Sequence, residues 1–301
     1  MQDIAYQQWL IENCVLTDDD MIFGEISETE RKIREERPWK KDFQYFKNVR
    51  ISAIALLKLV THAHSGGNLE IMGVMSGRVI ENTFVILDAF PLPVEGTETR
   101  VNAGADADVY MTQFRDLSEK LGRSEFMCGW YHSHPSYGCW LSGIDVMTQR
   151  TNQQMGPWVA VVIDPVRTAA AGSVEIGSFI CYPDGYSPCK SSESWEVVPT
   201  SKIEDFGAHA GDYYQLKTSF FKTSRDEIVL SALWKRFWAQ TLSSKPLLTS
   251  SDYLIDTIED VVSKFKNKDD KSPASDNTTA RLAIDLMGGV LHEVVQQRLN
   301  L

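Results

Sequence analysis

Apolar positions along this chain follow two spacings, and the change from one to the other divides it. From Val49 to about residue 185, helical spacing alternates with short apolar runs. Ile51, Ile54, Ala55, Leu57 and Leu59 predict a buried helix over 49–64, stopped by Gly66 and Gly67. "LEIMGVMSG" and "TFVILDAF" predict two strands joined by a turn at Glu81 and Asn82. Residues 91–106, "PLPVEGTETRVNAGAD", lack periodicity and predict a long loop, a kind of segment that is often functional. Val109, Phe114, Leu117 and Leu121 mark a further helix, "FMCGWYHSH" a strand, and Ser142 to about Met155 another helix. "WVAVVID" and "VEIGSFICY" predict two more strands, with "PVRTAAAG" as the turn between them. The alternation predicts an α/β domain in which a mixed sheet is flanked by helices. It ends near residue 185 in the polar connector "DGYSPCKSSES".

Beyond residue 225 only helical spacing remains. Leu230, Leu233, Trp234, Phe237 and Trp238 form one apolar stripe, and Leu254, Ile255, Ile258, Val261, Val262 and Phe265 a second. Ala283, Leu286, Met287, Val290, Leu291 and Val294 form a third, after the polar "KNKDDKSPASDNTT", which is predicted mobile. Such helices on a short tail cannot bury all their apolar faces among themselves. They either pack on the main domain or join a bundle with partner subunits, and the pattern leaves both open. In "SETERKIREERPWKKD", Ser27 precedes Glu30 by the capping-box interval and Pro38 stops the segment, predicting a short helix with solvated charges. The predicted organisation is a charged arm over 1–48, the α/β domain over 49–224 and a helical tail over 225–301.

Composition narrows the class. Of 301 residues, 43% are hydrophobic and 24% charged, the balance of an ordinary globular protein. A net charge of -11 argues against nucleic acid as a partner. There is no early apolar run with a basic flank and no stretch of about 18 apolar residues, so neither a signal peptide nor a membrane span is expected. The five cysteines, Cys14, Cys128, Cys139, Cys181 and Cys189, are odd in number and contain no Cys-x-x-Cys pair. A reducing compartment fits them better than a disulfide framework.

Two His-x-His pairs carry the candidate chemistry. His62 and His64 lie near the end of a predicted helix, where two positions amount to roughly 200° of rotation. They point apart, and favourable charge at a helix C-terminus accounts for them. His132 and His134 belong to a strand pattern, where i and i+2 share a face and can reach one ion. Ser142 and Asp145 have the spacing of a helix cap. A first turn facing the strand end would also aim Asp145 at the histidines, and two histidines with one carboxylate match a catalytic zinc with one open position. Glu70, at the start of an apolar strand, reads as an edge or surface acid unless such a site needs a general base.

Together these residues read Glu70-x-x-Gly, then His132-Ser133-His134-Pro135, with Ser142 eight positions after His134 and Asp145 three further on. That composite resembles the signature of the JAMM (MPN+) metalloproteases, and every spacing matches. The similarity extends over about residues 38–245, including "EGTETRVNA", "GWYHSHPSYGCWLSGIDV", "VAVVIDPVRT" and "KIEDFGAHAGDYYQLKTSFFK". It implies an MPN domain with one zinc ion, acting as an isopeptidase on the amide between a ubiquitin-like protein and a lysine side chain. Carried over by residue, His132, His134 and Asp145 bind zinc, Glu70 is general acid/base and Ser142 helps hold the oxyanion. The family's deubiquitinating member in the proteasome lid shares "GWYHSHP" and "GCWLSG" and is the rival reading, whereas the "EGTETRVNA" loop and "KIEDFG" favour the members that remove a ubiquitin-like modifier from cullin-RING ligases.

The resemblance further implies work inside a multi-subunit complex in cytoplasm and nucleus. The contacts would run through the C-terminal helices and a second MPN domain. It also places the 91–106 loop over the resting site, with Glu98 rather than Glu95 as the acid that occupies the open position. Cys139 lies within the motif, but a zinc mechanism needs no thiol nucleophile and a packing role is expected for it. Tyr137 and Trp140 either line a substrate slot or pack. A non-catalytic scaffold is the competing reading, and it has no use for the complete ligand set.

Overall fold

The structure, a computed structural model, describes residues 2–18, 22, 24–94, 105–123, 125–186, 198–243, 251–266, 279–287 and 289–290. Its helices are α1 (Gln2–Glu12), α2 (Glu28–Glu36), α3 (Ala53–Ser65), α4 (Ala105–Lys120), α5 (Gly143–Met155), α6 (Pro165–Ala171), α7 (Ile203–His209), α8 (Ser224–Ser243) and α9 (Ser251–Lys266). Its strands are β1 (Leu16–Thr17), β2 (Asn48–Ser52), β3 (Met72–Ile80), β4 (Thr83–Pro91), β5 (Phe126–Ser133), β6 (Val159–Ile163), β7 (Ile176–Cys181), β8 (Tyr213–Gln215) and β9 (Lys217–Lys222).

They form one mixed sheet in the order β1-β9-β2-β4-β3-β5-β6-β7-β8. The sheet curls, because β8 beside β7 runs through Leu216 into β9 beside β2. Leu216 itself donates to the Ser178 carbonyl at 2.8 Å.

Both faces of the central strands are covered, so they read as unbroken apolar runs and not as alternation. One core packs Val49, Ile51, Phe84, Ile86, Tyr131, Val161 and Ile163 against Leu56 and Leu59 of α3. The other packs Val74, Phe90, Trp130, Ala160 and Val162 against Leu141 and Val146 at the start of α5. This is the α/β architecture with helices flanking a mixed sheet that the sequence predicts.

Several local expectations change. The helix predicted over 49–64 begins only at Ala53, because residues 48–52 are β2, paired with β4 and β9. Val49 and Ile51 are buried with strand periodicity, and Ser52 ends the strand and caps α3 through Ala55 N–H at 3.1 Å. "PVRTAAAG" is a short helix and not a turn: Asp164 caps it, Pro165 sits in its first turn and Gly172 closes it at φ 76. The sheet does not stop near residue 185, since β8 and β9 return to it. Short strands whose partners lie far away in sequence leave little local signal.

The predicted capping box of Ser27 and Glu30 is present, but Glu30 is not solvated. It is 5% exposed and paired with Arg78 of β3 at 2.6 Å. His62 also departs from its expected role as a helix-end charge. Its Nδ1 lies 2.9 Å from the Tyr131 hydroxyl, and burial lowers its pKa, which favours the neutral ring.

The tail divides its faces. Leu230 of α8 is buried with Tyr6, Leu10 and Ala53. Tyr253 and Leu254 of α9 pack on Ala170 of α6. Ile255, Ile258, Val262 and Phe265 stay exposed on α9. The side chains of Trp234, Phe237 and Trp238, the connector over 267–278, and Leu291 and Val294 lie outside the described residues.

Candidate metal centre

Strand parity sets the first ligand. Tyr131 belongs to the α3 core and Trp130 to the α5 core, so His132 shares the face of Trp130, and the two rings stack at 4.6 Å. His134 follows the last residue of β5 and its N–H donates to the Ile163 carbonyl at 2.8 Å. The chain then turns away through Ser136 at φ 75 and Gly138 at φ 87. Ser142 caps α5 in a full capping box with Asp145, which brings Asp145 back to the strand end.

His132 Nε2 lies 3.0 Å from His134 Nε2, and Asp145 Oδ2 lies 3.4 Å and 3.7 Å from those two nitrogens. All three residues are buried. The tautomer of His134 follows from its other nitrogen, 3.0 Å from the Gly138 carbonyl. A carbonyl only accepts, so Nδ1 carries a hydrogen and Nε2 is the nitrogen that faces the cluster. His134 Nε2, a carboxylate oxygen and a second imidazole nitrogen thus converge in a buried place.

Such a convergence calls for a proton or a cation. Burial by itself would lower the pKa of His132 and raise that of Asp145. Their mutual attraction outweighs burial, raising His132 and holding Asp145 well below the carboxylate range. Bonds of about 2.0–2.1 Å at tetrahedral angles put ligand atoms about 3.3 Å apart. The observed separations bracket that value, so the donor set fits zinc. His132, His134 and Asp145 are the metal-type cluster found among the described residues.

Glu70 comes to the same place by register. Met72 pairs with His132, which puts Glu70 level with His134. Ser133 secures the approach, accepting from Ile71 N–H at 3.0 Å while its own N–H donates to the Ile71 carbonyl at 3.1 Å. Glu70 is 5% exposed and accepts a hydrogen bond from the Tyr137 hydroxyl. Burial first, and then the Glu70 charge, push the Tyr137 pKa up, so it remains a donor. Its ring stacks on His134 at 4.5 Å.

Ser142 Oγ donates to Asp145 Oδ2 at 2.6 Å, so its hydroxyl is engaged with the carboxylate. Trp140 stands edge-on to His134 at 5.3 Å and meets Phe206 of α7 at 5.8 Å. Lys202 lies 4.9 Å from the Tyr137 ring, and Gly143 N–H donates to Asp205 at 3.4 Å. The 198–209 segment therefore walls one side of the site.

Glu70, His132, His134, Ser142 and Asp145 are thus brought together. Glu95 and Glu98 lie outside the described residues. Cys139 is 1% exposed within the α5 core, as expected of a packing residue, and Tyr137 and Trp140 are both buried. Sequence reasoning missed Gln149, whose Oε1 accepts from Trp130 Nε1 at 2.8 Å and so fixes the ring under His132. Its signal was available, because it lies four positions past Asp145 on the same helical face.

This fold and cluster define an MPN-type domain, and residues 44–158 match the family model described as JAB1/Mov34/MPN/PAD-1 ubiquitin protease. The chain is 45% identical to COP9 signalosome complex subunit 5 of Drosophila melanogaster, over 99% of this chain and 97% of that protein. It is 50% identical to the Caenorhabditis elegans subunit 5, over 91% of this chain and 75% of that protein. Against the Emericella nidulans subunit 5 it is 52% identical, over 83% and 76%. The chain belongs to the COP9 signalosome complex subunit 5 family.

Proposed function

We propose that the chain is a zinc-dependent isopeptidase that removes a ubiquitin-like modifier from cullins, as the catalytic subunit of a COP9 signalosome. The observation that carries this reading is the buried convergence of His132, His134 and Asp145 beside Glu70. A zinc ion held by those three residues would supply a Lewis acid that activates water and polarises the scissile carbonyl.

The remaining roles fall to the chain's own groups. Glu70 takes the proton of the attacking water and delivers it to the lysine amine as the C–N bond breaks. Tyr137 donates to Oε1 of Glu70 and leaves Oε2 for the proton. Ser142 turns its hydroxyl from Asp145 toward the carbonyl oxygen, where negative charge develops. No covalent acyl intermediate forms, and Cys139 takes no part.

Glu98, from the 91–106 loop, is proposed as the acid that holds the resting site closed. Partner subunits are proposed to cover the exposed stripe of Ile255, Ile258, Val262 and Phe265 on α9, and a second MPN domain to complete the assembly in cytoplasm and nucleus. No helix among the described residues is long and apolar enough to cross a membrane.

Metal content tests the centre. The purified chain should carry zinc, and His134→Ala and Asp145→Asn should lose it; equal zinc in all three sinks the assignment. Glu70→Gln should keep zinc and lose about 10²–10⁴ in turnover, and retained turnover removes Glu70 as base. Assaying cullin-modifier and ubiquitin linkages in the assembled complex decides the substrate. Glu98→Ala should activate the isolated chain, and no gain would count against the latch.

A further inference from the structure

We infer that Asp164, which is not a ligand, is a positioning residue that fixes His134 for metal binding; this rests on the zinc reading above. Asp164 is fully buried at the junction of β6 and α6, on the side of the turn that follows His134. Its Oδ1 accepts from the N–H groups of Val166 and Arg167 at 3.1 Å and 2.9 Å, as a helix cap does. The same oxygen accepts from Ser136 N–H at 3.1 Å, and Oδ2 accepts from Gly138 N–H at 2.9 Å. Arg167 Nε lies 3.3 Å from Oδ2.

One carboxylate thus ties the start of α6 to the 135–138 turn, beyond the β5–β6 pairing that already holds the two strand ends side by side. A helix cap needs only the first pair of bonds. The second pair holds the 135–138 turn, in which Ser136 stands at φ 75, a conformation that a non-glycine residue does not keep unaided. Gly138 closes the chain of contacts: its N–H is held by Asp164 and its carbonyl accepts from His134 Nδ1 at 3.0 Å. Asp164 holds the peptide that enters Gly138 through its N–H, and the carbonyl that leaves Gly138, fixed through that residue's φ of 87, sets the tautomer and ring angle of His134. Outer partners of metal-binding histidines act in this way, and their loss lowers metal affinity about 10–100-fold.

The test compares Asp164→Asn with Thr168→Val. Thr168 Oγ1 donates to the Asp164 carbonyl at 2.7 Å and accepts from Glu175 N–H at 2.9 Å, so its loss loosens the same helix without touching the turn. Zinc dissociation constants come from competition with a chromophoric chelator, and the site's geometry from visible absorption of the cobalt-loaded chains. Asp164→Asn should weaken zinc binding about 10–100-fold and alter the cobalt spectrum, while Thr168→Val stays within about twofold of wild type at any comparable loss of Tm. Wild-type affinity in Asp164→Asn, or equal loss in Thr168→Val, overturns the assignment. If Asp164→Asn does not fold, Gly138→Ala strains the same turn from its far end, and unchanged affinity there overturns it too. A wild-type chain that binds no zinc would instead remove the metal reading itself.

Discussion

Replacing Arg78 by methionine removes a guanidinium that joins the N-terminal segment to the sheet. Arg78 is 4% exposed, and it donates to both carboxylate oxygens of Glu30 at 2.8 Å and 2.6 Å. It also donates to the carbonyls of Ile22, Gly24 and Glu25, each at 2.9 Å. Methionine fills much of the volume but leaves Glu30 buried and without its counter-ion, a change that costs about 3–5 kcal/mol. Against a total stability of about 5–15 kcal/mol, that is a large fraction. Adding Glu30→Leu removes the uncompensated charge and should return at least about 1 kcal/mol, since contacting partners couple by about 0.5–3 kcal/mol.

Burial by itself would raise the Glu30 carboxyl, but bonds from Arg78 and the Ser27 cap hold it below 4.5. The stabilisation is therefore present above about 4.5 and is lost as pH falls through the lower folded value. Urea unfolding of zinc-loaded wild type, Arg78→Met and the double variant measures each quantity. A single variant within about 1 kcal/mol of wild type, or a double variant no better than the single, refutes the reasoning.

Ser142→Ala loses both the cap of α5 and the 2.6 Å bond to Asp145. It should lower stability by about 0.5–2 kcal/mol and weaken zinc binding about tenfold; unchanged affinity means that the hydroxyl does not orient Asp145. Tyr131→Phe removes the partner of His62 on the opposite core and should lower stability by about 0.5–1.5 kcal/mol. Its zinc content should not change, and a loss would contradict the division of the two faces. His132 is raised above 6.5 against the effect of burial because Asp145 faces it. In the zinc-free chain this contribution is full below 6.5 and is lost as pH rises through the folded value, whereas zinc needs the neutral ring. The Tm gain on adding zinc should therefore grow from about pH 6 to about pH 8, and a gain independent of pH argues against His132 as a ligand.

The sequence by itself determined which residues form the metal-type cluster. His132 and His134 two apart at the end of an apolar strand, and Ser142 and Asp145 at the start of a helix, are local patterns, and local geometry is what strand and helix periods encode. It likewise determined β3 to β7 and α5, whose apolar runs and caps are continuous in the chain. Only the tertiary structure decided the rest. Register between β3 and β5 brings Glu70 level with His134, from more than sixty positions away. Glu30 reads as a surface acid until Arg78 meets it, and Asp164 reads as the end of a strand until the amides of α6, Ser136 and Gly138 reach it. A buried polar group takes its role from whichever partner satisfies it, and that partner is chosen by packing between distant segments, which no local spacing records.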